Sequence, residues 1–229
     1  MKRSTINREI KKVIAIAEKY SFSLPKYAYW SLDDWKRNSS QVDEVMKLML
    51  GWDVTDYGEG NFDYMGAVLF TIRNGDINNK TIGVPYAEKL IYLNYKTEQK
   101  IPLHYHKMKT EDIINRAGGH LVLELYNRSP DDKPDLESDV IVKMDGITRT
   151  FSPGEKVYVN PGESITLTPG LFHAFWSCKD SGETLIGEVS SINDDRNDNV
   201  FFDKIQRFGA VEEDEAIAYP LCNEYGTLL

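Results

Sequence analysis

The chain has 229 residues, 41% of them hydrophobic, with 36 acidic against 27 basic side chains and a formal net charge of −9. That length supports one substantial domain, and an acidic surface repels phosphate backbones, so no nucleic-acid partner is expected. No apolar run reaches the roughly 18 residues of a bilayer span, the basic start at Met1-Lys2-Arg3 has no apolar stretch behind it, and Cys178 and Cys222 are too few for a disulfide framework, so a cytoplasmic protein without membrane contact is expected.

The first fifty residues read as a helical arm. Ile10, Val13, Ile14 and Ala17 follow helical spacing, and Ser31-Leu32-Asp33-Asp34 resembles a capping box opening another short helix. Val42, Val45, Met46 and Met49 form a helical stripe over 41–50, with Gly51 as its C-cap. From about residue 64 the period becomes two, the alternation of a strand. Strands are expected over 67–73, 88–95, 119–126, 140–144, 147–151, 156–159, 164–168, 172–177 and 185–190, with Asp145-Gly146 as a two-residue hairpin turn. Short strands punctuated by Pro-Gly, Asp-Gly and Asn-Gly turns predict a mainly β fold, an antiparallel sandwich or jelly roll. The expected layout is a single domain: helical arm over 1–50, barrel core over 64–190, and a polar C-terminal extension over 191–229 packing on the barrel.

Three of the four histidines fall in one pattern: His104-Tyr105-His106, then Glu111, then His173 after Pro169-Gly170. On a strand His104 and His106 share a face, and a turn just past it can bring the Glu111 carboxylate over the imidazoles. Three histidines and one carboxylate, with room for water or substrate, suit a divalent first-row metal. A surface pair is the plain alternative for His-x-His, and the stretch around Lys109, Thr110 and Glu111 also reads as a helix start. His120 lies outside the pattern and is given a structural or solvent role.

Written out, His104-x-His106-x4-Glu111-x6-Gly118 and Gly162-x6-Pro169-Gly170-x2-His173 resemble the two motifs of the cupin superfamily, whose members are small jelly-roll barrels. The second motif departs from the usual pattern, with its glycine directly after the proline and Ser177 at the later Asn position. A wider resemblance runs through Leu50-Gly51-Trp52-Asp53, Asn61-Phe62, the segments 69–75, 86–89 and 110–116, Leu185-Ile186-Gly187-Glu188, Asn193-Asp194-Asp195 and 211–215. These segments resemble those of bacterial D-lyxose isomerases, over nearly the whole chain. The resemblance implies an aldose-ketose isomerase interconverting D-lyxose and D-xylulose, with D-mannose and D-fructose as a secondary pair. It also implies proton transfer through a cis-enediol and a divalent metal, Mn²⁺ first and Zn²⁺, Co²⁺ or Fe²⁺ as substitutes, held by His104, His106, Glu111 and His173.

Glu188 sits mid-strand among apolar residues, where a carboxylate is out of place unless that face lines a wet cavity. It is the candidate base, with burial expected to raise its pKa; an outward-facing strand glutamate remains the alternative. Lys109, lodged between two ligands, is given a substrate or proton-transfer role, and Lys89, in the family context, a substrate contact. Lys107 reads as solvated. Asp194 and Asp195 either bind sugar hydroxyls or cap a turn. Arg207 is a further substrate-binding candidate, and the run Glu212–Glu215 is either a solvated face or a pocket closure. A homodimer is expected from the aromatic-rich strands. An Fe(II) cupin dioxygenase and a non-catalytic sugar-binding cupin stay open as other readings.

Overall fold

A computed structural model of the chain describes residues 1–194, 197–207 and 209–229. Helix α1 (Arg3–Lys19) buries Ile6, Ile10, Val13, Ile16 and Ala17 along one stripe, the 3.6-residue pattern of a helix laid on a sheet. It has no acidic residue in its own first turn. The C-terminal tail supplies the cap instead. The Ser4 amide and hydroxyl donate to the Asp214 carboxylate at 2.9 and 2.7 Å, and the Arg3 amide donates to the Glu212 carbonyl at 2.9 Å. The fully buried Arg3 guanidinium pairs with Glu213 at 2.7 Å and with Glu224. The acidic run is therefore a clamp on a helix N-terminus, where negative charge is favourable, and not a wall of the pocket.

Helix α2 (Leu32–Asn38) opens on the expected capping box, the Asp34 amide donating to the Ser31 hydroxyl at 3.2 Å and the Ser31 amide to the Asp34 carboxylate at 2.9 Å. Helix α3 (Asp43–Lys47) is shorter than the stripe over 41–50 predicts. The chain turns at Met49, which is left-handed with φ 52°, while the Leu50 amide donates to the Val45 carbonyl at 2.9 Å. This is the six-to-one bond of a Schellman-type end, with its left-handed residue two positions before Gly51. Gly51, with φ 117°, starts a strand and leaves room for the Tyr225 hydroxyl that donates to the Leu50 carbonyl at 2.8 Å.

Among the described residues thirteen strands follow: β1 (Gly51–Thr55), β2 (Ala67–Gly75), β3 (Gly83–Tyr92), β4 (Lys100–His106), β5 (Glu111–Gly118), β6 (Leu121–Tyr126), β7 (Val140–Met144), β8 (Ile147–Phe151), β9 (Lys156–Val159), β10 (Ser164–Leu167), β11 (Phe172–Ser177), β12 (Thr184–Ser191) and β13 (Asn199–Phe201). A short helix α4 (Tyr225–Leu228) ends the chain. The strands form two antiparallel sheets, ordered β1-β2-β3-β12-β5-β10-β7-β8 and β13-β4-β11-β6-β9. The fold is mainly β with an N-terminal helix, as expected. Two sheet strands lie outside the expected limits of 64–190. Strand β1 is buried throughout, so no alternation marks it, and β13 is a three-residue strand within a polar stretch.

The inner faces meet in one core. Leu69, Ile91, Ile113, Ile165 and Ile186 of the large sheet face Ile101, Leu121, Leu123, Leu125 and Phe175 of the small one. The outer face of the large sheet presents Val54, Val68, Phe70, Leu90 and Tyr92 to α1. Toward one end of the barrel each inner row changes from apolar to polar. Ile186 gives way to Glu188 on β12, Ile91 to Lys89 on β3, Ile113 to Glu111 on β5, and Leu69 to Thr71 on β2. The register sets Glu188 opposite Lys89 and Ser190 opposite Glu111, so these polar groups gather at one place.

Candidate active site

Register also assembles the imidazoles. His104 on β4 lies directly opposite His173 on β11, and their ring centroids are 4.1 Å apart. Alternation on β4 brings His106 to the same inner face. Glu111, the first residue of β5, projects between them; the helix-start reading of this segment is thus overturned, because Glu111 pairs with Leu167 and Ser190 in a continuous ladder. One ligand atom from each of the four residues lies within 4.8 Å of every other, and all four side chains are buried.

The protonation pattern fits a cation. His104 and His173 each donate Nδ1–H to the carbonyl two residues earlier, Pro102 at 2.8 Å and Leu171 at 2.9 Å. That tautomer turns both Nε2 lone pairs inward. Glu111 Oε1 then sits 3.0 Å from His173 Nε2 and 3.4 Å from His106 Nε2, and both imidazole nitrogens are buried without a hydrogen-bond partner. A carboxylate oxygen facing the Nε2 lone pair of His173 at this distance is repelled unless a cation, a metal or a proton, lies among them. Burial, then His173 and His106, push the His104 pKa well below the ordinary value, which keeps it neutral and able to ligate. Burial pushes Glu111 up, but Lys109 and His106 outweigh it and hold the carboxyl well below the usual range. The buried set can hold a divalent metal.

Beside it lies a compact ion network. Lys109 Nζ is 2.6 Å from Glu111 Oε2 and 2.9 Å from Glu188 Oε1, and Lys89 Nζ is 3.2 Å from Glu188 Oε1. Two ammonium groups and two carboxylates, each at most 4% exposed, balance one another. Ser190 adds a hydroxyl donor to Glu188 at 3.2 Å. The cavity that joins this network to the imidazoles is also lined by Tyr57, Asn199, Phe201 and Arg207. Strand β13 places two of these, since Asn199 pairs with His106 and Phe201 with His104.

Against this geometry, comparison with known proteins is specific. A model of the D-lyxose isomerase family matches residues 1–225. The chain belongs to the D-lyxose isomerase family. Within it, the D-lyxose/D-mannose isomerases of Escherichia coli O157:H7 and Serratia proteamaculans are each 40% identical over 226 residues, covering 98% of this chain and 98% of theirs. Among solved structures, the L-ribose isomerases of Acinetobacter sp. DL28 (in complex with L-ribose) and Cellulomonas parahominis superpose with TM-scores of 0.54 and 0.55 at 13% identity, over 93% of this chain and 98% of theirs. That likeness establishes a shared cupin-like fold. Family membership selects an isomerase over the dioxygenase and the non-catalytic sugar-binding readings.

For this D-lyxose isomerase family member, the structure brings most of the predicted residues together. His104, His106, Glu111, Lys109, Lys89, Glu188 and Arg207 all line the cavity, and His173 joins His104, His106 and Glu111 in the cluster that could hold a metal. Glu188 faces inward, so the solvent-facing alternative is overturned. Its expected pKa shift is overturned too: burial does push the carboxyl up, but Lys109 and Lys89 outweigh it and hold it below the usual range. Arg207 reaches the cavity wall while paired with Asp53. Asp194 does not reach the cavity; its carboxylate accepts from the Asn197 side-chain Nδ2 at 2.9 Å and its carbonyl from the Asp198 backbone amide at 3.0 Å, the turn-capping role. Asp195 lies outside the described residues. Lys107 and His120 are exposed, as expected.

Among the described residues, the lining residues Tyr57, Asn199 and Phe201 escape sequence reasoning, and so do two polar residues beside them, Asp198 and Asn193. Asp198, 3% exposed, accepts from the Met108 and Lys109 amides at 2.7 and 3.2 Å and stands 3.5 Å from His106 Nδ1. Asn193 reaches both cavity lysines. Both belong to the polar stretch after β12, where composition alone marks a loop and singles out neither.

Proposed function

We propose that this chain is a divalent-metal-dependent aldose-ketose isomerase that interconverts D-lyxose and D-xylulose, with D-mannose and D-fructose as a second pair. The observation that carries the reading is the placement of Glu188, flanked by two lysines, in the same cavity as the three-histidine, one-glutamate set. Family membership and the names of the 40% identical relatives support the sugar. His104, His106, Glu111 and His173 would hold the metal, Mn²⁺ in the first instance, and when bound it supplies positive charge against the negative charge that grows on the sugar oxygens.

The rest is work for side chains. Glu188 accepts the proton from C2 of the open-chain aldose and returns it to C1, on one face of a cis-enediol. Its depressed pKa keeps it ionised at neutral pH, ready to accept. The two lysines that depress it also blunt its basicity. Sugar hydroxyls that draw Lys89 and Lys109 away from the carboxylate restore that basicity as substrate binds. Lys109, between Glu111 and Glu188, is placed to move a proton between the two sugar oxygens, while Lys89 and Arg207 bind hydroxyls. Asp194, outside the cavity, leaves the proposed substrate contacts, and Asp195 stays among them. The reading also takes the protein as a cytoplasmic homodimer; the exposed aromatic rings of Tyr158 and Phe202 support a second copy, and light scattering measures it.

The test strips the protein with chelator, restores Mn²⁺, and follows ketose formation from D-lyxose. Metal-dependent ketose is the expected result, and no ketose from any aldose sinks the reading. Glu188→Gln should keep its metal while kcat falls by about 10²-fold or more. A variant that still turns over at the native rate would place the base elsewhere.

A further inference from the structure

Strand β2 carries a register shift beside the cavity. Thr71 lies opposite Lys89 and Arg73 opposite Glu88, so β2 spends one extra residue there. Such a bulge re-aims the side chains beyond it. Arg73 turns outward to pair with Glu88 at 3.4 Å, and Asn74 turns inward, only 8% exposed. The Asn74 side chain then grips the backbone of Asn193: its Nδ2 donates to the Asn193 carbonyl and its Oδ1 accepts from the Asn193 amide, both at 3.0 Å. Held at both backbone groups, Asn193 sends its own side-chain carbonyl into the ion network. That oxygen accepts from Lys89 Nζ at 2.8 Å and from Lys109 Nζ at 3.4 Å.

The shared oxygen has a consequence for Glu188. An ammonium has three N–H donors to place. Lys109 places its donors on Glu111, Glu188 and Asn193. Lys89 reaches the same two acceptors, Asn193 and Glu188. Without a neutral acceptor between them, both ammonium groups move further onto the carboxylates, and Glu188 loses the lone pair that must meet a carbon-bound proton.

We propose that Asn193 is a positioning residue for the isomerisation, its side-chain carbonyl holding the Lys89 and Lys109 ammonium groups while the Asn74 clamp holds Asn193. The proposal rests on the isomerase reading above. It assigns Asn74 an effect on turnover although Asn74 touches neither lysine nor the metal ligands.

The test compares Asn193→Ala and Asn74→Ala with the native full-length chain, all reloaded with Mn²⁺ and assayed on D-lyxose. Removing an acceptor from buried ammonium groups should lower kcat about tenfold or more in Asn193→Ala. Asn74→Ala should lower it by a smaller factor, and in both the fall in kcat should exceed the change in KM, which moves only through the hydroxyl contact of Lys89. A kcat near the native value, or losses in kcat and KM alike that follow a fall in Tm, overturns the proposal. A second measurement needs no turnover. In ¹H–¹⁵N spectra, a buried and hydrogen-bonded lysine ammonium gives a slowly exchanging signal, and the Lys89 signal is assigned by its loss in Lys89→Arg. It should weaken in both asparagine variants. If the native chain forms no ketose, the isomerase reading falls and this spectrum judges the clamp alone: a weakened Lys89 signal upholds it and an unchanged one refutes it.

Discussion

Asp198 touches no sugar in the proposed reaction, yet it holds two parts of the site at once. Its carboxylate ties down the turn between β4 and β5 through the Met108 and Lys109 amides and faces the outer nitrogen of His106. Outer carboxylates of this kind orient ligating histidines and strengthen their basicity. Asp198→Ala should therefore weaken Mn²⁺ binding by about 10- to 100-fold, read by titration calorimetry without any turnover assay. Native-like affinity would reduce Asp198 to a loop anchor. At this scale the sequence was informative where chemistry imposes spacing. His104, His106, Glu111 and His173 stand out because ligands need a shared face and few residue types can serve. Asp198 and Asn193 do not, because a carboxylate or amide in a polar stretch acquires a role only from what folds against it.

At the level of elements, the first helix depends on the last segment of the chain. Arg3 is fully buried between Glu213 and Glu224, and removing it strands the largely buried Glu224 carboxylate while the half-exposed Glu213 turns to solvent. Arg3→Ala should cost about 3–5 kcal/mol, seen as a lower midpoint in urea with an unchanged slope. The cap at Asp214 is more exposed and smaller in effect: Asp214→Ala should cost about 1 kcal/mol. Nothing in the sequence announces either contact. Arg3 reads as part of a basic start and Glu212–Glu215 as an acidic run, and their meeting is a matter of topology. Helix α3 makes the complementary point. The stripe from Val42 to Met49 is helical in period, but the turn at Met49 is decided by the strand that must begin at Gly51.

For the molecule as a whole, the buried charges link stability to pH. Burial pushes the Glu188 carboxyl up, but Lys109 and Lys89 hold it below the ordinary carboxyl range. A carboxyl with a depressed folded-state pKa contributes stability that is present above the unfolded value and lost as pH falls through the folded one. Metal-free native protein should therefore lose Tm more steeply below about pH 4.5 than Glu188→Gln does, measured by thermal scans in chelator. Parallel curves would mean that the lysines do not stabilise the carboxylate. His104 acts in the same direction at higher pH: the unfolded chain binds a proton in the ordinary imidazole range, about 6.5, that the buried ring refuses. His106, whose pKa is raised by Glu111 against the effect of burial, opposes it. Its stabilising share is present below its unfolded value and lost as pH rises through its folded one.

By itself the sequence determined what is local or periodic. Alternation and turn residues marked the strands from β6 to β12, the capping box marked the start of α2, and ligand spacing marked the four metal-binding candidates, because each is set by residues close together in the chain. Tertiary structure decided the rest. It made β1 and β13 strands by giving them neighbours to pair with, turned Glu188 inward by register, and set Lys89 and Lys109 on either side of it. It reversed the expected shift of that carboxyl, since burial raises a lone carboxylate but two ammonium groups within 3.2 Å lower it. The physical reason is common to all of these: strand pairing joins residues far apart in sequence, and the energy of a charge depends on what surrounds it in space.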